Sequence, residues 1–247
     1  MEEESYFFKL SAFEDPLLEY YNSGAVIPKS RANEVRSFVS GGLKDLSISR
    51  TTFNWGVPVP DDENHVMYVW IDALTNYLSA LGYPGETDEM KQFWPHTTHL
   101  VGKDILRFHA VYWPAFLMAA GLPLPETIFA HGWLLASGKK MSKSKGNAIA
   151  PQELVDLYGV DQVRYFLMRE VPFGNDGSIS DQALVTRVNA DLANNFGNLA
   201  QRTLSMIYKN CDSAIPDIPD FFMDEPAAMA LIETTQRTLA ECRTAIN

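Results

Sequence analysis

A lysine-rich loop is the part of this sequence most able to do chemistry. Four lysines lie between Gly138 and Gly146, with small hydroxyl residues interleaved. Their ammonium groups can hold a polyphosphate and neutralise the charge that develops as pyrophosphate leaves. Most lysine clusters are solvated surface loops. This one directly follows a predicted strand, and phosphates bind at the carboxyl ends of the strands in an α/β sheet.

A second candidate is a set of large side chains at helical spacing. Ile105, His109 and Trp113 are four residues apart, so they face one side of a predicted helix, and Ala73 and Tyr77 share a face of another. Spacing alone favours a buried core with one hydrogen-bonded histidine.

The elements around these residues predict an α/β fold. Short apolar runs predict buried strands, and the first two are each followed by an apolar segment of helical length. The arrangement predicts the second half of a doubly wound, Rossmann-like parallel sheet, with its ligand crevice at the carboxyl ends of the strands. The predicted strands are Val66–Trp70, Thr98–Val101 and Thr127–Ala130, and the predicted helices are Ala73–Leu81 and Ile105–Ala120.

The pattern becomes all-helical after Pro151. Helical spacing covers 151–158, 160–170 and 180–208, with no strand predicted between them. In the longest of these, 180–208, apolar residues fall on one face of the predicted helix and polar residues form a stripe elsewhere. An acidic, proline-containing connector over 211–226 precedes a last predicted helix over 227–247. The apolar face comprises Val188, Leu192, Phe196, Leu199 and Thr203, and the stripe comprises Asn194, Asn198 and Arg202.

The composition excludes several classes of protein. The net charge of -11 excludes a protein that coats nucleic acid through bulk positive charge, so any such contact is local. Two cysteines are too few for a disulfide framework or a four-cysteine zinc site, which favours a reducing cytoplasm. No apolar run approaches the ~20 residues of a membrane-spanning helix, so we expect a soluble protein without a membrane partner.

Several motifs together resemble one enzyme family. Lys140-Met141-Ser142-Lys143-Ser144 matches the KMSKS signature of class I aminoacyl-tRNA synthetases. His131-Gly132-Trp133 precedes it, and Val101-Gly102-Lys103-Asp104 closes the preceding strand. With the run from Tyr68 to Ala73, these stretches are similar to methionyl-tRNA synthetases in particular, and the similarity extends from residue 3 to the helix around Asn198.

The resemblance implies a methionine–tRNA ligase, which uses ATP and Mg²⁺ to form methionyl-adenylate and then charges tRNA(Met). Lys140 and Lys143 would be the catalytic residues that stabilise the pentavalent phosphate and the departing pyrophosphate. The implied ATP-binding residues are Gly102, Asp104, His131, Trp133, Lys140, Met141, Ser142, Lys143 and Ser144. Gly102 has a physical reason of its own, because a missing side chain lets a nucleotide approach the backbone. Asp104 is also predicted as a helix N-cap.

The resemblance also implies two further sites. The methionine pocket would comprise Trp70, Ala73, Tyr77, Ile105, His109 and Trp113. An aromatic-lined pocket of this kind suits an unbranched thioether, because sulfur packs well against rings. Asn198 and Arg202 match a pattern with which the family reads the tRNA anticodon. An amide and a guanidinium four residues apart on one helix can form hydrogen bonds with unpaired bases and stack on them. A solvated polar stripe is the simpler interpretation of that pair.

Other family features are missing from the sequence. Neither the HIGH tetrapeptide nor the cysteine knuckle that binds zinc in the inserted domain occurs. We therefore expect a partial chain that is inactive alone. The expected parts are the end of the insertion and a linker (1–60), half of the catalytic sheet (61–135), the KMSKS loop with stem-contact helices (136–175) and the start of the anticodon-binding domain (176–247).

The sequence leaves two alternative functions open. Other class I synthetases, for leucine, valine or cysteine, share the lysine loop, but small branched side chains do not require so aromatic a pocket. A synthetase-like module that binds RNA or protein without catalysis is the other. An intact lysine loop argues against it, because such a module has no need of that loop.

Overall fold

The computed structural model describes residues 4–136, 138–141, 146–217 and 225–246. Ser142, Lys143 and Ser144 of the predicted site lie outside the described residues. The chain forms two compact units, Met1–Leu184 and Val185–Asn247. The domain boundaries expected from the sequence stay predictions.

The elements of secondary structure are short in the first unit and long in the second. The strands are β1 (Phe7–Phe8), β2 (Val26–Ile27), β3 (Leu46–Ser47), β4 (Ser49–Arg50), β5 (Pro58–Val59), β6 (Asp62–Met67), β7 (Thr98–Gly102), β8 (Thr127–His131), β9 (Leu134–Ala136), β10 (Lys139–Lys140) and β11 (Gly177–Ile179). The α-helices are α1 (Glu14–Asn22), α2 (Lys29–Ser40), α3 (Val69–Ser79), α4 (Asp88–Phe93), α5 (Trp113–Ala119), α6 (Pro151–Tyr158), α7 (Val160–Glu170), α8 (Asp181–Arg187), α9 (Asn198–Asn210) and α10 (Pro226–Ile246).

A three-stranded parallel sheet, in the order β2-β8-β7, forms the centre of the first unit. Ile128 and Ala130 of β8 are fully buried while the residues between and beside them are not, so one face of this strand packs on the core. The α/β class and two of the three predicted parallel strands are thereby confirmed. The β7–β8 register pairs Gly102 with His131 at the carboxyl ends, which brings the two predicted nucleotide motifs to one edge.

The prediction that Val66–Trp70 is a strand of this sheet is wrong. β6 ends at Met67 and pairs antiparallel with β4 and β5 in a separate sheet. Val69 and Trp70 already belong to α3, whose N-cap Tyr68 is extended. The error has a simple cause, since a short β-branched and aromatic run does not reveal which strands it will pair with.

The third strand of the parallel sheet comes from a part of the chain in which no sheet strand was predicted. β2 has only two residues, too few to show an alternating pattern, and it pairs with Ile128 and Phe129. The helices on either side of β2 supply much of the core. That core contains Leu10, Leu17, Tyr21, Val26, Val35 and Val39 together with Val101, Leu106, Val111 and Ile128.

The segment between β7 and α5 changes its helical type twice. A 3₁₀ turn over Lys103–Ile105 leads into a π-helical turn over Phe108–Tyr112, and α5 follows. The buried Tyr21 hydroxyl donates a 2.6 Å hydrogen bond to the Ala110 carbonyl within the π turn. Turns of this kind often occur at functional sites, and this one contains His109.

A second small sheet continues from β8. β9 pairs antiparallel with β10 and parallel with β11. The expectation of no strand between the helices after Pro151 is therefore wrong for Gly177–Ile179. The signal was weak, because three residues that include a glycine carry no periodic pattern.

The second compact unit is helical in its described residues. A π-helical segment, Val188–Gly197, leads into α9, and α10 follows the connector. The predicted apolar face crosses that π-helical segment, where a spacing of four no longer corresponds to one α-turn. Phe196 and Leu199 on that face are 69% and 66% exposed. Among the described helices none is long and apolar enough to cross a membrane.

Candidate active site

The carboxyl ends of β7 and β8 form the candidate nucleotide site. Gly102 pairs in register with His131, and Asp104 follows two residues later. A Cβ at Gly102 would lie 2.6 Å from Asp104 Oδ1 and 3.9 Å from His131 Cε1. The absence of a side chain at Gly102 therefore leaves room for the Asp104 carboxylate. Gly102 is itself the N-cap of the following turn, so the predicted N-cap role of Asp104 is wrong.

The Asp104 carboxylate connects both motifs to the lysine loop. It accepts a 2.6 Å hydrogen bond from Lys140 Nζ and a 3.2 Å bond from Trp133 Nε1. The Lys140 ammonium, followed by the Trp133 bond, holds the pKa of Asp104 below its usual range. Asp104 is thus a charged acceptor at the place where the sequence predicted nucleotide contacts.

The Trp133 indole lies beside two ammonium groups. Lys103 Nζ is 4.2 Å and Lys140 Nζ is 4.5 Å from the ring centroid, which is the range of cation–π attraction. Met141, also predicted for this site, is half-buried, and its N–H bonds to the Leu134 carbonyl. An aromatic face with two ammonium groups beside it suits a planar base with a polyphosphate.

A second cluster, made of rings, lies along α3, β7 and the π turn. Tyr77 Oη and His109 Nε2 are 2.8 Å apart, and His109 Nδ1 is 3.0 Å from the Ile105 carbonyl oxygen. A carbonyl can only accept, so the proton of His109 is on Nδ1 and Nε2 accepts from Tyr77. Burial lowers the pKa of His109 and keeps the ring neutral.

A second histidine, His99, completes this ring cluster. Trp113 Nε1 donates a 3.1 Å hydrogen bond to His99 Nε2, so His99 carries its proton on Nδ1. The Tyr77 ring centroid is 4.4 Å from that of His99 and 6.3 Å from that of Trp113. Burial, followed by the nearby His109, lowers the pKa of His99 to about 4. His99 was not predicted from the sequence, because a buried position in a strand hides its role.

The remaining residues of the predicted methionine pocket do not all join the ring cluster. Trp70 stacks on Phe108 with ring centroids 3.8 Å apart and meets His109 edge-on at 6.1 Å. Ile105 reaches His109 through its carbonyl, while its side chain packs against the core around β2 and β8. Ala73 is exposed on α3. The structure thus brings Trp70, Tyr77, His109 and Trp113 together and leaves Ala73 and the Ile105 side chain at the margin.

An open cleft of about 410 Å³ borders two of these rings. Tyr77 and His99 line it, but Trp70, His109 and Trp113 do not. Phe93 and Leu100, which also line it, are 53% and 68% exposed. Of the predicted methionine pocket, the cleft therefore includes only Tyr77.

Comparisons with known proteins identify the family. A model described as tRNA synthetases class I (M) matches residues 1–204. The methionine–tRNA ligase of Brucella suis is 62% identical over 246 residues, which cover 97% of this chain and 48% of that protein. The chain belongs to the methionyl-tRNA synthetase family.

A solved structure agrees with this assignment. The crystal structure of Mycobacterium tuberculosis methionyl-tRNA synthetase bound by methionyl-adenylate matches with a TM-score of 0.81 and 56% identity. The match covers 100% of this chain and 48% of that one. The family resemblance and fold class inferred from the sequence are confirmed, and the chain spans about half the length of the methionyl-tRNA synthetases it matches.

The residues for which the family resemblance implies anticodon contacts lie in the second unit. Asn198 opens α9 and is half-buried, and Arg202 lies one turn later and is exposed. Arg202 lines a shallow surface depression with Ser205, Met206 and Lys209. Both side chains are on one helix at the spacing that allows a shared contact.

No cluster of three or more His, Cys, Asp or Glu side chains within the described ranges can hold a metal ion. Asp104 and Asp176, the carboxylates at the nucleotide end, each bind a lysine instead. Asp176 and Lys103 were not singled out from the sequence, since Asp176 is distant along the chain from the motifs it contacts.

The buried, neutral His99 predicts that acid destabilises the protein. Its pKa is about 4 when folded and about 6.5 in an unfolded chain, so between those values the unfolded chain binds the extra proton. This contribution to stability is complete above pH 6.5 and declines as the pH falls toward 4. Lowering the pH from 7 to 5 should cost about 2 kcal/mol of unfolding free energy from this one group.

Denaturant titrations at pH 7, 6 and 5 measure this effect. His99→Gln should have a shallower pH dependence than the unsubstituted protein, while Gln92→Ala, at an exposed residue without a titratable side chain, should keep the original slope. Identical slopes in the unsubstituted protein and His99→Gln would contradict the assignment.

Proposed function

We propose that this chain forms part of a methionine–tRNA ligase, contributing the methionine pocket and the lysine-loop side of the site that forms methionyl-adenylate. The observation that carries the proposal is the Asp104 carboxylate, which bonds both Trp133 and Lys140 at the joined ends of β7 and β8. Three motifs separated in the sequence thereby meet at one sheet edge. ATP, methionine and tRNA(Met) are the proposed substrates, and the cytoplasm is the proposed location.

Formation of methionyl-adenylate depends on positioning more than on acid or base catalysis. The methionine carboxylate is already a nucleophile toward the α-phosphate of ATP, so alignment and charge stabilisation supply the rate. Asp104 can accept hydrogen bonds from ribose hydroxyls, and Trp133 with His131 can hold the adenine. When the ribose hydroxyls bind Asp104, they release the Lys140 ammonium from that carboxylate. Lys140 can then stabilise the departing pyrophosphate together with Lys143.

Magnesium would share the charge of the phosphates when ATP is bound. The described residues offer no carboxylate cluster for it, so the nucleotide phosphates would supply its main ligands. The zinc knuckle of the family's inserted domain has no counterpart in this sequence.

The ring cluster explains the proposed preference for methionine. The Tyr77 hydroxyl proton is committed to His109, and the Trp113 N–H is committed to His99. These four polar groups therefore satisfy one another, which leaves ring faces for an unbranched thioether. A small branched side chain would fill such a pocket poorly.

Anticodon reading by Asn198 and Arg202 is the proposed role of the second unit. Their spacing on α9 lets an amide and a guanidinium address neighbouring unpaired bases. The net charge of -11 does not oppose this, because the contact is local.

Methionine-dependent exchange of pyrophosphate into ATP tests the proposed function. The assay compares this chain with an extended protein, in which the M. tuberculosis relative supplies the residues on either side of the matched region. We expect exchange only in the extended protein and only with methionine. Exchange with leucine or valine would indicate a different synthetase, and none in either protein would favour a binding module without catalysis.

Replacing Lys143 with alanine in the extended protein should slow adenylate formation about 100-fold or more, with the methionine dissociation constant changed less than about twofold. The reason is that its charge is proposed to act on the transition state. Single-turnover adenylate formation and equilibrium binding measure the two quantities. Lys209→Ala, in the second unit, is the control, and equal losses of rate and binding would contradict a transition-state role.

Replacing Trp113 with alanine should act in the opposite way. The buried indole forms part of the ring cluster, so its loss should weaken methionine binding at least about tenfold before it affects the rate at saturating methionine. Methionine titrations in the exchange assay report both values. Trp55→Ala, at a tryptophan that is 87% exposed, is the matched control, and unchanged methionine affinity in Trp113→Ala would refute the placement.

A further inference from the structure

We propose that Asp176 is a positioning residue of the candidate nucleotide site, acting through Lys103 and through the main chain of Trp133. The proposal rests on the proposed function of that site and adds a residue outside its predicted motifs. Asp176 lies between α7 and β11, 43 residues after Trp133 along the chain.

Asp176 and its neighbour hold both polar groups of the Trp133 main chain. Asp176 Oδ1 accepts a 2.9 Å hydrogen bond from the Trp133 N–H, and the Gly177 N–H donates a 2.9 Å bond to the Trp133 carbonyl. The turn that carries the indole therefore takes its position from the segment before β11.

The same segment packs directly on the residue before Trp133. Gly132 is buried, and a Cβ there would lie 1.9 Å from the Asn175 carbonyl oxygen. The segment is also held by Arg31 of α2, whose guanidinium donates to the Gly174 carbonyl at 3.3 Å. Main chain packed against main chain gives this contact little freedom to shift.

Asp176 also controls a charge beside the indole. Its carboxylate binds Lys103 Nζ at 2.7 and 2.9 Å, just as the Asp104 carboxylate binds Lys140 at 2.6 Å. Both ammonium groups lie within 4.5 Å of one ring centroid. With its own carboxylate partner, Lys103 does not compete with Lys140 for Asp104. Of the two lysines, Asp104 thus has to release only Lys140 to bind the nucleotide.

Substitutions at Asp176 separate these two connections. Asparagine keeps an oxygen for the Trp133 N–H but removes the charge that holds Lys103, whereas alanine removes both. We expect the ATP dissociation constant of the extended protein to rise several-fold in Asp176→Asn and about tenfold or more in Asp176→Ala. Methionine affinity should change less than twofold, because the ring cluster is separate.

A double substitution distinguishes positioning from a general loss of structure. If Asp176 acts through Lys103, Asp176→Asn should have almost no further effect on ATP affinity in a Lys103→Met background. Asp176→Ala should retain an effect there through Trp133. Asp156→Asn, an exposed carboxylate on α6 that accepts from Gln152, is the matched control and should leave ATP affinity unchanged.

The outcomes are distinct for the two proposals. Unchanged ATP affinity in Asp176→Asn and Asp176→Ala, or equal losses of ATP and methionine affinity with a lowered melting temperature, would overturn the role of Asp176. ATP binding without methionine-dependent exchange would overturn only the proposed function, and the Asp176 series would still be measured by binding. No ATP binding by the unsubstituted extended protein would overturn both.

Discussion

The parallel pairing of β7 with β8 is the constraint on which the rest of the candidate site depends. Its register places Gly102 opposite His131, so two motifs 29 residues apart end at the same point. In a parallel sheet, ligands bind in the crevice at the carboxyl ends of the strands, so both motifs face one crevice. Burial of Ile128 and Ala130 on β8 fixes this register, because a slip of one residue would turn both toward the wrong face.

The two proposed pockets share β7 and the turns that follow it. His99 enters the ring cluster, Gly102 ends the strand beside Asp104, and the π turn brings His109 toward Tyr77. Asp104 faces the lysine loop from the same turn that leads to the π segment. A methionine carboxylate and an α-phosphate must come within bonding distance, and one short stretch of chain positions the groups proposed to hold each of them.

Charge is distributed to suit this arrangement. The protein carries a net charge of -11, yet at the nucleotide end each carboxylate is matched with a lysine, and both lysines contact one indole. The ring cluster is neutral instead, since burial holds the pKa values of His99 and His109 below their usual range. The proposed nucleotide site and the proposed methionine pocket thus have different electrostatic surroundings in one unit.

The sequence by itself determined the family, the α/β class, two parallel strands and most of the helices. These features depend on motifs and periodic patterns formed by residues that are close together in the sequence. It misplaced Val66–Trp70 and missed β2 and β11, whose pairing depends on distant partners rather than on their own two or three residues. It also missed His99, Lys103 and Asp176. Their roles come from contacts that only the tertiary structure decides: an indole N–H, a neighbouring charge and a main-chain amide that folding brings within hydrogen-bonding distance.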